Sequence, residues 1–172
     1  RKLLLVIDMQ NDFISGALGT PEAQAIVDRV AAEIEKYPVQ DVIATRDTHS
    51  ENYLETQEGR NLPVPHCIKD TPGWELHPKI AAALKNAVIF DKPSFASKTL
   101  AEELTRYAEA EDLEITLAGL CTDICVISNA LLVKACLPET PVRVLSGCCA
   151  GVTPETHQAA LTTMRMCQIQ IL

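Results

Sequence analysis

Leu3-Leu4-Leu5-Val6-Ile7-Asp8 is the stretch that decides the fold. An unbroken apolar run, with no polar alternation, is what a strand covered on both faces requires. A carboxylate follows it at once. The same pattern recurs along the chain at Asp41 to Thr45, Ala87 to Phe90, Glu114 to Ala118, Val142 to Leu145 and Gln168 to Leu172. Between these runs lie stretches with helical spacing. Pro21 to Lys36 places Ala23, Ile26, Val27, Val30, Ala31 and Ile34 on one face, with Thr20 as cap and Pro21 at the first helical position. Leu76 to Leu84, Lys98 to Tyr107, Thr122 to Cys136 and Pro154 to Met166 are the other helices expected, the last capped by Thr153. Such alternation implies a single α/β domain over residues 1–172, a three-layer doubly wound fold around a six-stranded, mainly parallel sheet. Ligands in open α/β sheets bind beyond the carboxyl ends of the strands, where the strand order reverses. The residues to inspect are therefore Asp8, Asp47 and His49, Lys92, and Gly119 to Cys125. The span Arg46 to Glu75 shows no period, and a loop that long in a compact domain is usually functional.

Composition narrows the classes of function. With 15 Lys+Arg against 23 Asp+Glu the chain carries a net charge of −8. A binder of nucleic acid or of an anionic membrane surface needs the opposite sign to neutralise phosphates. No apolar run reaches the ~18 residues of a transmembrane helix. The apolar start is cut short by Asp8, so it reads as a strand and not a signal peptide, and a cytoplasmic protein is expected. The 7 cysteines are odd in number and irregularly spaced, as free thiols and not as a disulfide framework.

Asp8, Lys92 and Cys125 come from distant parts of the chain to one expected sheet edge. A cysteine attacks as thiolate, and its free pKa of ~8.5 must fall. A place in the first turn of the helix that begins at Thr122 favours the thiolate, and Lys92 adds a cation. Asp8 can take the thiol proton and pass it to a leaving amine. A second group, Asp47-Thr48-His49 with His66, offers a carboxylate and imidazoles suited to zinc, manganese or iron. Alternation along an extended segment puts Asp47 and His49 on the same side.

The segments Asp8-Met9-Gln10-Asn11-Asp12-Phe13 and Gly119-Leu120-Cys121-Thr122-Asp123-Ile124-Cys125-Val126, with Lys92 between them, resemble the isochorismatase-like cysteine hydrolases, the superfamily that includes nicotinamidases. The likeness spans the whole chain. It implies a Rossmann-like isochorismatase fold and a triad of Cys125 as nucleophile, Asp8 as general base then acid, and Lys92 as cation. It implies a cis peptide between Leu120 and Cys121, and an oxyanion hole from the backbone N–H groups of Cys121 and Cys125. It also implies a divalent metal that binds substrate, held by Asp47, His49 and His66, the last in the Pro63-Val64-Pro65-His66-Cys67 context, with Glu58 as a fourth candidate. No organic cofactor is expected. Phe13, Trp74 and Leu120 are the substrate-binding candidates, the two aromatics flanking a flat ring. Two departures set this chain apart. Thr48-His49-Ser50 stands where nicotinamidases commonly have Trp-His-Pro, and Pro63 where they carry an aromatic. The segment from Lys92 to Ser97 is brief, so one pocket wall should be reduced. The reaction expected is hydrolysis of a small, nicotinamide-like amide to the acid and ammonia through a thioester. The alternatives are a carbamoyl-amide or isochorismatase-type hydrolase, or a non-catalytic family member. Relatives often self-associate, so a homo-oligomer is the state the resemblance implies.

Overall fold

A computed structural model describes residues 1–172. Its sheet contains β1 (Lys2–Ile7), β2 (Val42–Asp47), β3 (Val88–Lys92), β4 (Glu114–Leu120), β5 (Val142–Ala150) and β6 (Gln170–Ile171). The spatial order is β3-β2-β1-β4-β5-β6, and every pair is parallel. The order reverses between β1 and β4, so the cleft expected of a doubly wound sheet opens above Ile7 and Leu120.

Alternate residues of β1 feed two separate cores. Leu4 and Val6 pack with Ile26, Val30 and Ile34 of α2 (Pro21–Ile34) and Ile80 of α4 (Pro78–Leu84). Leu3, Leu5 and Ile7 pack with Leu100 and Leu104 of α5 (Lys98–Ala110), Ala130 and Val133 of α6 (Ile127–Cys136), and Leu161 and Met164 of α7 (Pro154–Met166). This is why β1 must be apolar throughout: both of its faces are dry. The single turn α1 (Asn11–Ile14) and the short α3 (Gln57–Asn61) complete the layer beside the cleft.

Capping fixes where the helices begin. Thr20 Oγ1 accepts from Ala23 N–H at 3.0 Å, Ser97 Oγ from Leu100 N–H at 3.2 Å, and Thr153 and Thr156 form a reciprocal capping box. The structure corrects several expected boundaries. β2 runs on to Asp47 and β3 to Lys92, their ends paired in register, so both side chains belong to the sheet edge itself. β5 extends to Ala150, because Cys149 and Ala150 pair with Gly119 and Leu120 beyond a register shift. The helix expected from Thr122 is divided into a π-helical turn, Thr122–Val126, and α6. No helix is long and apolar enough to cross a membrane.

Candidate active site

β1 ends at Ile7, and Asp8 turns the chain with φ 47°. Aspartate tolerates this left-handed region better than most residues. The bend is held from β2: Thr45 hydroxyl donates to Asp8 Oδ1 at 2.6 Å, and Asp8 N–H donates to Thr45 O at 3.3 Å. β4 arrives alongside, and Gly119, at φ 126°, faces Ile7 so closely that a Cβ would lie 2.1 Å from Ile7 O. The Leu120–Cys121 peptide bond that follows is cis. The π-helical turn then carries Cys125 to the floor of the cleft, where it is 4% exposed.

Lys92 reaches over the end of β2 to the same point. Its Nζ lies 2.6 Å from Asp8 Oδ2, 3.3 Å from Cys125 Sγ and 3.4 Å from Asp47 Oδ1, and donates to Ser94 O at 3.1 Å. The contact with Asp8 Oδ2 is a fully buried ion pair. The structure thus brings Asp8, Lys92 and Cys125 together.

Electrostatics differ from the sequence expectation at the sulfur. Burial pushes the Cys125 thiol up, and the Asp8 carboxylate pushes it further, while Lys92 opposes both. The expected lowering of the resting thiol is therefore reversed: burial outweighs the ammonium, which also faces the carboxylates of both Asp8 and Asp47. Burial also raises Asp8, against the pull of Lys92. Lys92 resists its own burial because Asp8 and the neighbouring anions hold its proton. Sulfur and carboxyl are thus both driven toward the protonated form, with a charged ammonium between them. Cys121 is pushed up to about 12 by burial and then by Asp123, and remains a neutral thiol at the cavity wall.

Asp47, His49, Glu58 and His66 converge beside this group, their candidate ligand atoms all within 4.8 Å of one another. Asp47 Oδ2 lies 3.0 Å from His49 Nε2 and 3.6 Å from His66 Nε2, and Glu58 Oε1 lies 3.5 Å and 3.7 Å from the same nitrogens. Burial would raise Asp47, but the imidazoles and Lys92 outweigh it and hold the carboxylate well below its usual range. His66 Nδ1 lies 2.8 Å from Val64 O, a contact that places the proton on Nδ1 and leaves Nε2 as a lone-pair donor facing the cluster. Two imidazole nitrogens and two carboxylates fit a divalent transition metal. Burial pushes Glu58 up, while the two imidazoles oppose it.

A cavity of about 360 Å³ opens over these groups. Phe13, Leu120, Cys121 and Cys125 line it, with Asp47, Glu58 and His66 at one side. Trp74 does not line it, contrary to the sequence expectation. Its indole N–H donates to Thr48 Oγ1 at 2.8 Å and Arg46 stacks on its ring at 3.7 Å, so the ring braces the loop after β2 from behind.

Some working residues were given no role by the sequence. Gln10 is fully buried; its amide donates to Asp47 O and Trp74 O, each at 2.8 Å, and accepts from Asp47 N–H at 2.7 Å. Asn129 donates to Cys125 O at 2.8 Å and Phe95 O at 3.1 Å, and accepts from Ser97 N–H at 3.0 Å. It ties the turn that carries Cys125 to the loop after Lys92. The signal was there, a buried amide in a mostly apolar helix, but two of its three partners, Phe95 and Ser97, lie more than thirty residues away. His157 also gains a partner, Thr122 Oγ1 at 2.8 Å.

A family model described as the isochorismatase domain matches residues 2–172. The nicotinamidase/pyrazinamidase of Mycobacterium tuberculosis is 28% identical, over 99% of this chain and 98% of its own. The nicotinamidase of Escherichia coli is 29% identical, over 96% of this chain and 90% of its own. Among solved structures, the pyrazinamidase of Pyrococcus horikoshii in complex with zinc superposes with a TM-score of 0.81 at 30% identity, covering 99% of this chain and 98% of that one.

Proposed function

The chain belongs to the isochorismatase family, and on that premise we propose that it is a cysteine amidohydrolase converting a nicotinamide-like carboxamide and water into the carboxylic acid and ammonia. One observation carries the reading: a buried ammonium touches the Asp8 carboxylate at 2.6 Å and the Cys125 sulfur at 3.3 Å on the floor of an open cavity.

The charge balance suggests how the thiol is activated. Releasing its proton to solvent would leave a second uncompensated anion in a buried site, and burial penalises that. Passing the proton to Asp8 leaves the total charge of the group unchanged. Asp8, raised by burial, is a stronger base than an exposed carboxylate, and Lys92 is already beside the sulfur to stabilise the thiolate. Cys125 Sγ then bonds to the amide carbon, and the carbonyl oxygen becomes an oxyanion received by the backbone N–H groups of Cys121 and Cys125. One such donor is worth ~10²–10³ in rate. Asp8 gives its proton to the amide nitrogen, the C–N bond breaks, and ammonia leaves a thioester on Cys125. Asp8 next takes a proton from water, whose oxygen attacks the thioester. The acid departs and Cys125 recovers its proton. Proton transfer of this kind contributes ~10²–10⁴.

Asp47, His49, Glu58 and His66 would hold a divalent metal, zinc, manganese or iron, which when bound supplies a Lewis-acid anchor for a lone pair of the substrate. The side chains themselves set the distance between that anchor and the sulfur, since Lys92 bridges Asp47 and Cys125. The relatives named for nicotinamide and pyrazinamide hydrolysis point to a flat heteroaromatic carboxamide as the substrate class. The test is ammonia release from a panel of small amides including nicotinamide and pyrazinamide, with metal-loaded protein. Turnover lost in Cys125→Ala, with unfolding midpoint unchanged, supports the reading. Turnover retained in that variant overturns it.

A further inference from the structure

The cavity does not end at the reacting group. Its outer wall is built from Leu62, Phe95 and Val152, which are 37%, 45% and 51% exposed, yet all line the same space as Cys125. They come from the loop after α3, the loop between β3 and α5, and the turn between β5 and α7. Exposed apolar side chains scattered singly over a surface need no explanation. These converge on one opening, and each is pinned through its backbone. Tyr53 hydroxyl donates to Leu62 O at 2.9 Å. Asn129 donates to Phe95 O at 3.1 Å. Val152 N–H donates to the Asp123 carboxylate at 3.1 Å. A rim fixed this way is a preformed apolar surface, as small-molecule sites generally are.

The volume points the same way. At about 360 Å³ the cavity falls within the ~300–1,000 Å³ range of sites for drug-sized ligands. A single six-membered ring with one carboxamide would leave the outer part wet. Phe13 and Phe95 are the two Phe side chains in the lining; Phe13 is 8% exposed, whereas Phe95, from the brief Lys92-to-Ser97 loop, is 45% exposed.

We propose that the substrate of this chain is a heteroaromatic carboxamide bearing an apolar substituent, which Leu62, Phe95 and Val152 receive at the cavity mouth. The inference rests on the amidohydrolase reading for its reaction and adds the class of amide. The bond broken and the bond formed are unchanged; the substituent contributes binding only. A group buried here should favour the substituted amide in kcat/KM, since even one methylene in an apolar pocket is worth ~10–200-fold.

The test compares pyridine-3-carboxamide with analogues carrying one phenyl or isobutyl group at each ring carbon in turn, using metal-loaded protein. At least one analogue should exceed the parent by tenfold or more in kcat/KM. Val152→Ser and Phe95→Ala should each cut that preference at least threefold, through a larger loss on the analogue than on the parent amide. A parent amide equal to or better than every analogue overturns the proposal. So does a loss that falls on parent and analogue alike. Binding of the corresponding substituted and unsubstituted acids to Cys125→Ala, measured by calorimetry, separates the two readings. Tighter binding of a substituted acid, weakened by Val152→Ser, with no turnover of any amide by the intact chain, sinks the reaction and keeps the pocket. Equal binding of both acids sinks the pocket. Sedimentation of the chain at assay concentration provides one more check: self-association that Val152→Ser abolishes, without change in amide preference, would assign the rim to a second copy and overturn the proposal.

Discussion

Replacing Lys92 by Met keeps the unbranched chain out to the ε position and removes the one cation that touches both Asp8 and Asp47. Lys92 and Asp8 are completely buried at the side chain, so no solvent replaces the lost partner. Removing one member of a buried ion pair costs ~3–5 kcal/mol, because the surviving charge stays uncompensated. Against a total stability of ~5–15 kcal/mol, the variant should still fold, with a visibly lower midpoint. The pH dependence makes the test specific. The Asp8 carboxyl is already raised by burial, with Lys92 pulling the other way. Without the ammonium it rises further above its unfolded value of ~3.9. Between these two values the folded state binds more protons than the unfolded one, so stability falls as pH rises there, by ~1.4 kcal/mol per unit. The penalty of Lys92→Met should therefore be larger at pH 7 than at pH 5. Urea unfolding of the variant and the parent at both pH values measures it. The double variant Asp8→Asn/Lys92→Met should recover part of the loss, since no unpaired carboxylate remains at position 8. A penalty below ~1 kcal/mol at pH 7, or one that grows on acidification, would refute the picture of a buried cation holding anions together.

Other outcomes test separate parts of the site. Asp8 must be ionised to take the thiol proton, so activity is lost as pH falls through its raised value; the acid limb of kcat/KM should lie above the ~4 of an ordinary carboxylate, and a limb at or below it contradicts the role. Gly119→Ala places a Cβ 2.1 Å from Ile7 O at a positive φ, so stability should drop by more than ~2 kcal/mol in urea; a loss under ~0.5 kcal/mol means the strand contact is looser than described. A metal supplied at a hundred times its dissociation constant should stabilise the chain by ~2.7 kcal/mol, and His66→Ala should abolish that gain in thermal unfolding; an equal gain in the variant removes His66 from the ligand set.

The features legible in the sequence are those carried by local pattern. Apolar runs ending in polar residues located each strand, and the residue after each run located Asp8, Asp47, Lys92 and Cys125 at one rim. Caps such as Thr20, Ser97 and Thr153 are short-range devices, and two of these, Thr20 and Thr153, were readable as helix starts. Long-range partners were not readable. Trp74 looked like a ring-flanking aromatic, but the Arg46 guanidinium and the Thr48 hydroxyl take it behind the loop. The direction of the Cys125 shift was not readable either, because it is set first by the burial of the sulfur and then by the Asp8 carboxylate against Lys92, and both depend on long-range packing. Gln10 and Asn129 hold the site through bonds to backbone atoms distant in the chain, which sequence spacing does not reveal.

The most direct test of the central claim is the product formed when hydroxylamine competes with water during amide turnover. An acyl group held on the Cys125 sulfur is open to any nucleophile that enters the cavity. Hydroxamate should appear at the expense of the carboxylic acid, rising with hydroxylamine, while ammonia release stays within twofold of its rate in water alone. Carboxylic acid as the sole product at every hydroxylamine concentration, with ammonia released at the usual rate, would contradict the account.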